Sequence, residues 1–149
     1  MADKIALMSI MTKQCNKIFS GTKVWEFRKR PPRLIAEDNL DIIVYSSKID
    51  KAIVGRFRAE QILCCKLEEL MKRTGYENDP EAVEWFREYY HNKELCSAIK
   101  ITDPVLFKKP ITLSMIKKDI PSFRPPQNFN YVKPDDKINM LIKSYEGMQ

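Results

Sequence analysis

The chain contains a single histidine, His91. That excludes zinc sites built on several histidines and any mechanism that needs a histidine pair. The four cysteines, Cys15, Cys64, Cys65 and Cys96, form no C-x-x-C motif. Cys64 and Cys65 are adjacent, a spacing poorly suited to an ordinary bridge. Four free thiols serving mostly as core packing in a reducing compartment are therefore expected. No window approaches the ~20 apolar residues of a membrane span. The opening Met1-Ala2-Asp3-Lys4 leads into no long apolar run, so no signal peptide is expected. No internal repeat, low-complexity linker or regular βαβ alternation appears, which argues against a solenoid and a doubly wound sheet. The expectation is a cytoplasmic protein without a membrane anchor, metal or cofactor.

What remains is a chain of 149 residues with 44% hydrophobic residues. A chain of this size buries roughly two-thirds of its unfolded surface, enough for one domain with its own core. The composition excludes a disordered tail, a collagen-like chain and a coiled coil. Lys plus Arg number 26 against 20 Asp plus Glu, a formal charge of +6. This is a modest excess that points to an anionic partner.

Short apolar runs at Lys4–Ile10 and Asp41–Ser47 read as strands, as does Lys51–Leu63 with Gly55 as a possible bulge. Thr12 reads as a helix N-cap for Lys13–Phe19, with Gly21 where that helix ends. Lys23–Arg30 alternates as a strand, stopped by Pro31-Pro32. Leu67–Arg73 is a short helix, and Asp79-Pro80 opens another that runs to about Leu95. Within it, Trp85, Phe86, Tyr89 and Tyr90 read first as core packing and second as a base-stacking row. Ser97–Thr102 is a strand that Val105-Leu106-Phe107 extends, and Ser114 opens a small helix. Phe123–Lys133 is irregular, and a last helix spans about 134–145. The pattern predicts an α+β fold in a single domain over 1–149, with a small closed or partly closed sheet of about five to six strands.

The densest chemistry lies in Gly21–Arg33, where Lys23, Arg28, Lys29, Arg30 and Arg33 face one acid, Glu26. Such a patch suits phosphate or another anion. It is equally readable as a solvated strand end with a Glu26–Arg28 pair. Tyr45 and Ser46 fall at a strand end near any cleft that this segment builds. Arg124 and Gln127 lie in a proline-rich stretch with no regular structure to serve, which makes them candidate rim residues.

The run Ser20-Gly21-Thr22-Lys23-Val24-Trp25-Glu26-Phe27-Arg28 carries the pattern G-x-K-x-x-E-x-R. With the strand and helix before it, and Val44-Tyr45-Ser46-Ser47 and Lys51-Ala52-Ile53-Val54-Gly55 after it, the chain resembles the ASCH domain family of the PUA-like superfamily. Phe123-Arg124-Pro125-Pro126-Gln127-Asn128-Phe129 resembles a closing segment of its regulator-like branch, and the resemblance covers about 4–132. It implies a small β-barrel with helices packed outside and a cleft beside the signature strand. It also implies binding of RNA or a modified nucleotide, and a role in transcriptional or translational regulation. Lys23 could contact phosphate or a base carbonyl, Glu26 could accept from a base amino group, and Arg28 offers a planar fork or stacking plane. The implied interface is Lys23, Glu26, Arg28, Arg30, Arg33, Tyr45, Ser46, Glu77, Arg124 and Gln127. A second branch resembles an amidohydrolase acting on acylated cytidine, with a lysine matching Lys23 and a later glutamate matching Glu77. The threonine of that branch is absent, because Glu26 stands in its place. The alternative is thus a hydrolase of the same fold, an amidohydrolase or a nuclease, using Lys23, Glu26 and Glu77.

Overall fold

A computed structural model describes residues 4–32 and 40–147. Within them lie β1 (Lys4–Met11), α1 (Thr12–Phe19), β2 (Trp25–Arg28), β3 (Leu40–Ser47) and β4 (Ala52–Cys65). There follow α2 (Leu67–Thr74), α3 (Pro80–Tyr89), β5 (Cys96–Thr112), α4 (Leu113–Asp119), β6 (Phe129–Val132) and α5 (Lys137–Glu146). No helix among the described residues is long and apolar enough to cross a membrane. The strands form one sheet in the order β2-β5-β4-β3-β1-β6. Only β1 and β3 pair in parallel; the other pairs are antiparallel. The fold is α+β, with the strand number that the sequence implied.

β1 and β3 are apolar at consecutive positions because both of their faces are covered. Ala6, Met8, Ile42 and Val44 pack with Cys15 and Ile18 of α1. Leu7, Ile43 and Tyr45 pack on the opposite face with Ile116 of α4 and Ile142 of α5. A third cluster joins Trp25, Leu63 and Ala98 to Leu70 of α2 and to Phe86 and Tyr90 of α3.

The register of β4 against β5 shifts at Gly55, the bulge that the glycine suggested. A Cβ there would collide with the Val105 carbonyl oxygen and sit 2.7 Å from Cζ of Phe19. Here the glycine serves close approach: β4, β5 and the Phe19 ring meet over a bare backbone. Gly55→Ala should therefore lower the unfolding free energy by about 1–3 kcal/mol, the range for overpacking. The urea midpoint measures this, and an unchanged midpoint would mean that the strand pair has slack.

Several boundaries differ from the sequence reading. Thr12 is not the N-cap of α1; Met11 holds that position. The Thr12 hydroxyl instead donates to Ser47 O at 2.7 Å. β2 covers only Trp25–Arg28, the four residues that pair with Ser97–Lys100 of β5. α3 stops at Tyr89, well before Leu95. Tyr90 donates its hydroxyl to Ser97 O at 2.6 Å, and Asn92 takes φ 62°, so the chain turns there. Part of the stretch read as irregular is β6, an edge strand on β1.

The edges of the sheet are β2 and β6, and side chains tie them together. Arg28 Nη1 donates to Asn128 Oδ1 at 2.9 Å, and Arg28 Nη2 donates to Ser9 O at 2.8 Å. Asn128 Nδ2 returns a bond to Arg30 O at 3.0 Å. Ser9 Oγ donates to Pro126 O at 2.6 Å. The sheet is not closed by strand pairing, but a polar clasp spans the gap between its edges.

Candidate nucleic-acid interface

The site is built by the way α1 ends. Gly21 takes φ 84°, a left-handed conformation that favours glycine. Gly21 N–H bonds Ile18 O at 3.2 Å and Lys23 N–H bonds Lys17 O at 3.0 Å. The turn folds Lys23 back along α1, where its Nζ donates to Gln14 Oε1 at 2.8 Å. β2 begins two residues later, and its alternation divides the signature. Trp25 and Phe27 face α2 and α3. Glu26 and Arg28 share the other face and pair with each other.

Glu26 is 4% exposed and lies between two cations. Lys23 Nζ is 2.7 Å from Oε1, while Arg28 Nη2 and Nε are 2.8 and 3.0 Å from Oε2. Burying a carboxylate is costly unless it is paired, and here two partners compensate it. The two oxygens differ. Oε2 accepts a directed bond from Arg28, whereas Oε1 is buried and rests at ion-pair distance from the Lys23 ammonium.

Cys15 lies behind this pair and donates weakly to Ile10 O at 3.4 Å. Burial pushes its thiol up to about 11; a hydrogen bond with Ser46 opposes this, and the charges of Glu26 and Asp50 add to it. It is not a nucleophile at neutral pH. Ser46 is buried, within 2.8 Å of Thr12 Oγ1, and donates to Asp50 Oδ2 at 2.9 Å. Asp50 N–H bonds Thr12 Oγ1 in return at 3.2 Å.

The structure brings Lys23, Glu26 and Arg28 together, with Ser46 behind them through Cys15. Arg30 is exposed beyond the end of β2, and its carbonyl joins the clasp. Arg33 lies outside the described residues. Tyr45 does not accompany Ser46. It points to the opposite face of β3, among Ile53, Phe107 and Ile111, where burial raises its hydroxyl above the ordinary value. Glu77 lies with α2 and α3 beside Arg73, Val83 and Arg87, on the side of β2 that Trp25 and Phe27 face. Arg124 and Gln127 are exposed on the loop whose Pro126 and Asn128 join the clasp. Gln14 and Asn128 were missed by the sequence reading. Asn128 stood in the quoted closing segment beside Gln127, and its order there was the available signal.

A mixed sheet, with helices on its outside and a charged signature strand at one edge, is a PUA-like fold. The profile of the ASCH domain matches residues 8–105, and the chain belongs to the ASCH domain family. An ASCH domain-containing ribonuclease of Zymomonas mobilis is 27% identical over 135 residues, covering 89% of this chain and 87% of that protein. The crystal structure of ASCH from Zymomonas mobilis superposes with a TM-score of 0.76 at 25% identity, covering 93% of this chain and 94% of that one. Human THYN1, solved in complex with 5-methylcytosine containing DNA, shares the fold at a TM-score of 0.57 and 10% identity, covering 97% and 98%.

Proposed function

We propose that this chain binds single-stranded RNA with a phosphate at Lys23 and cleaves it, Glu26 acting as the base. The carrying observation is the Glu26 carboxylate, buried between the cations of Lys23 and Arg28 at 2.7 and 2.8 Å. The likeness to an ASCH domain-containing ribonuclease supports the choice of RNA.

RNA carries its own nucleophile. Lys23 turns from Glu26 toward the phosphate, which uncovers Oε1, and Oε1 takes the 2′-hydroxyl proton as O2′ bonds to phosphorus. The P–O5′ bond breaks, and the departing oxygen takes a proton from the Lys23 ammonium. A 2′,3′-cyclic phosphate and a 5′-hydroxyl result. Glu26 then holds a proton and Lys23 is neutral. Lys23 turns back to within 2.7 Å of Oε1, and transfer of the proton restores the starting pair. Arg28 keeps the carboxylate in place, its own donors spent on Glu26, Asn128 and Ser9. A regulatory role in transcription or translation acts through the same RNA contact. Hydrolysis of acylated nucleosides with Glu77 draws no support from the geometry, since Glu77 lies across β2 from Lys23.

Lys23→Ala should weaken binding of a labelled oligoribonucleotide about tenfold. It should also make the slope of log K against log salt shallower by ~0.7, the value for one lost single-strand phosphate contact. Fluorescence anisotropy over a salt series measures both. An unchanged slope and affinity would remove Lys23 from the interface.

A further inference from the structure

A concavity lies beside α1, a groove of about 630 Å³ between that helix and the β4–β5 ladder. That volume is within the ~300–1,000 Å³ of small-ligand sites. Phe19 and Val54 give it an apolar floor, and Asn16, Asp50 and Lys108 supply polar groups at its walls. The Phe19 ring reaches over Gly55, where a Cβ would displace it. The surroundings are cationic. Asn16 is flanked on α1 by the exposed Lys13 and Lys17, and Lys48 and Lys51 bracket Asp50, the one acid in the lining. The groove adjoins the charged pair along α1: Cys15 lines it, and the neighbouring Gln14 accepts from Lys23 Nζ at 2.8 Å.

We propose that this groove is a nucleobase subsite, taking a base of the RNA strand whose phosphate lies at Lys23. It rests on the RNA reading above and adds where the strand runs and what part of it is read. An aromatic floor accepts the face of a base, while an amide and a carboxylate at the walls meet its polar edge. Lys108 accompanies the adjoining phosphate. This groove, rather than the neighbourhood of Tyr45 or Glu77, completes the interface around Lys23 and Glu26.

The test uses the whole chain and two probes. Nucleoside 5′-monophosphates should shift the backbone amide resonances of Ala52, Val54 and Thr112, and Asn16→Trp, which plugs the groove from the exposed face of α1, should abolish those shifts. Asn16→Trp should also bind an oligoribonucleotide about tenfold more weakly than the parent chain. An oligomer made abasic at the seated position should bind the two proteins equally. Absent amide shifts, or equal binding of the intact oligomer, would overturn the subsite even where Lys23→Ala weakens RNA binding. Groove shifts that persist beside an inert Lys23→Ala would uphold the subsite and sink the phosphate site at Lys23.

Discussion

Arg28→Met should lower the unfolding free energy by about 3–5 kcal/mol, the range for stripping one partner from a buried ion pair. Methionine fills similar volume, so the loss comes from unpaired polar groups rather than a void. Glu26 Oε2 would lose its one directed bond while the carboxylate stayed 4% exposed. Asn128 Oδ1 and Ser9 O would lose their donors at the same time. Arg28→Lys should rescue only part of this, because an ammonium cannot reproduce a planar fork aimed at three acceptors. A useful contrast is the Arg58–Glu60 pair, whose side chains are 40% and 49% exposed. Breaking that pair should cost under about 1 kcal/mol. Chemical denaturation of the three variants decides the matter; an Arg28→Met midpoint close to that of the Glu60 variant would show that the clasp carries no weight.

Glu26→Gln should leave RNA binding within a few-fold of the parent chain and slow strand cleavage by about 10²–10⁴, the contribution of a positioned general base. The amide keeps an oxygen for Arg28 and nearly the same shape but removes the charge between Lys23 and Arg28. Rates are therefore compared on protein that circular dichroism shows to be folded. The amide lacks the basic oxygen that takes the 2′-hydroxyl proton. Gel analysis of a labelled RNA gives the rate. The end groups of the product test the chemistry separately: a 2′,3′-cyclic phosphate is required. A Glu26→Gln protein that still cleaves at the parental rate would place the base elsewhere.

Those two substitutions fall two residues apart on one strand, and the sequence presents them differently. The charge pattern of Gly21–Arg33 exposed the cluster, because five cations around one acid stand out from an ordinary surface. It showed the Glu26–Arg28 pair but not that the remaining donors of Arg28 are occupied. Their partners are the carbonyl of Ser9 and the side chain of Asn128, and neither a backbone oxygen nor a lone asparagine carries a signal at that range. Tyr45 is a different kind of miss. Neighbours on a strand point to opposite faces, so Tyr45 and Ser46 could never have shared a cleft, and the alternation rule was enough to separate them. Glu77 was tied to Lys23 through family order alone, which says nothing about the face of β2 on which a loop lands. Among the strands, β1 and β3 were legible because their apolar runs are unbroken. β6 was not, since Phe-Asn-Tyr-Val is short and mixed, and becomes a strand only by pairing with β1.

The clasp also sets the order of events during folding. Arg28 and Asn128 are 100 residues apart, and Ser9 and Pro126 are 117 apart. Contacts so distant along the chain close large loops, and that entropy is recovered only after the intervening strands have paired. The seam is therefore the last part of the sheet to lock and the first to release. A residue whose contacts form after the rate-limiting step affects escape from the native state rather than arrival at it. Arg28 accordingly sets how long the molecule remains native and leaves the speed of becoming so to the ladders of β1, β3, β4 and β5.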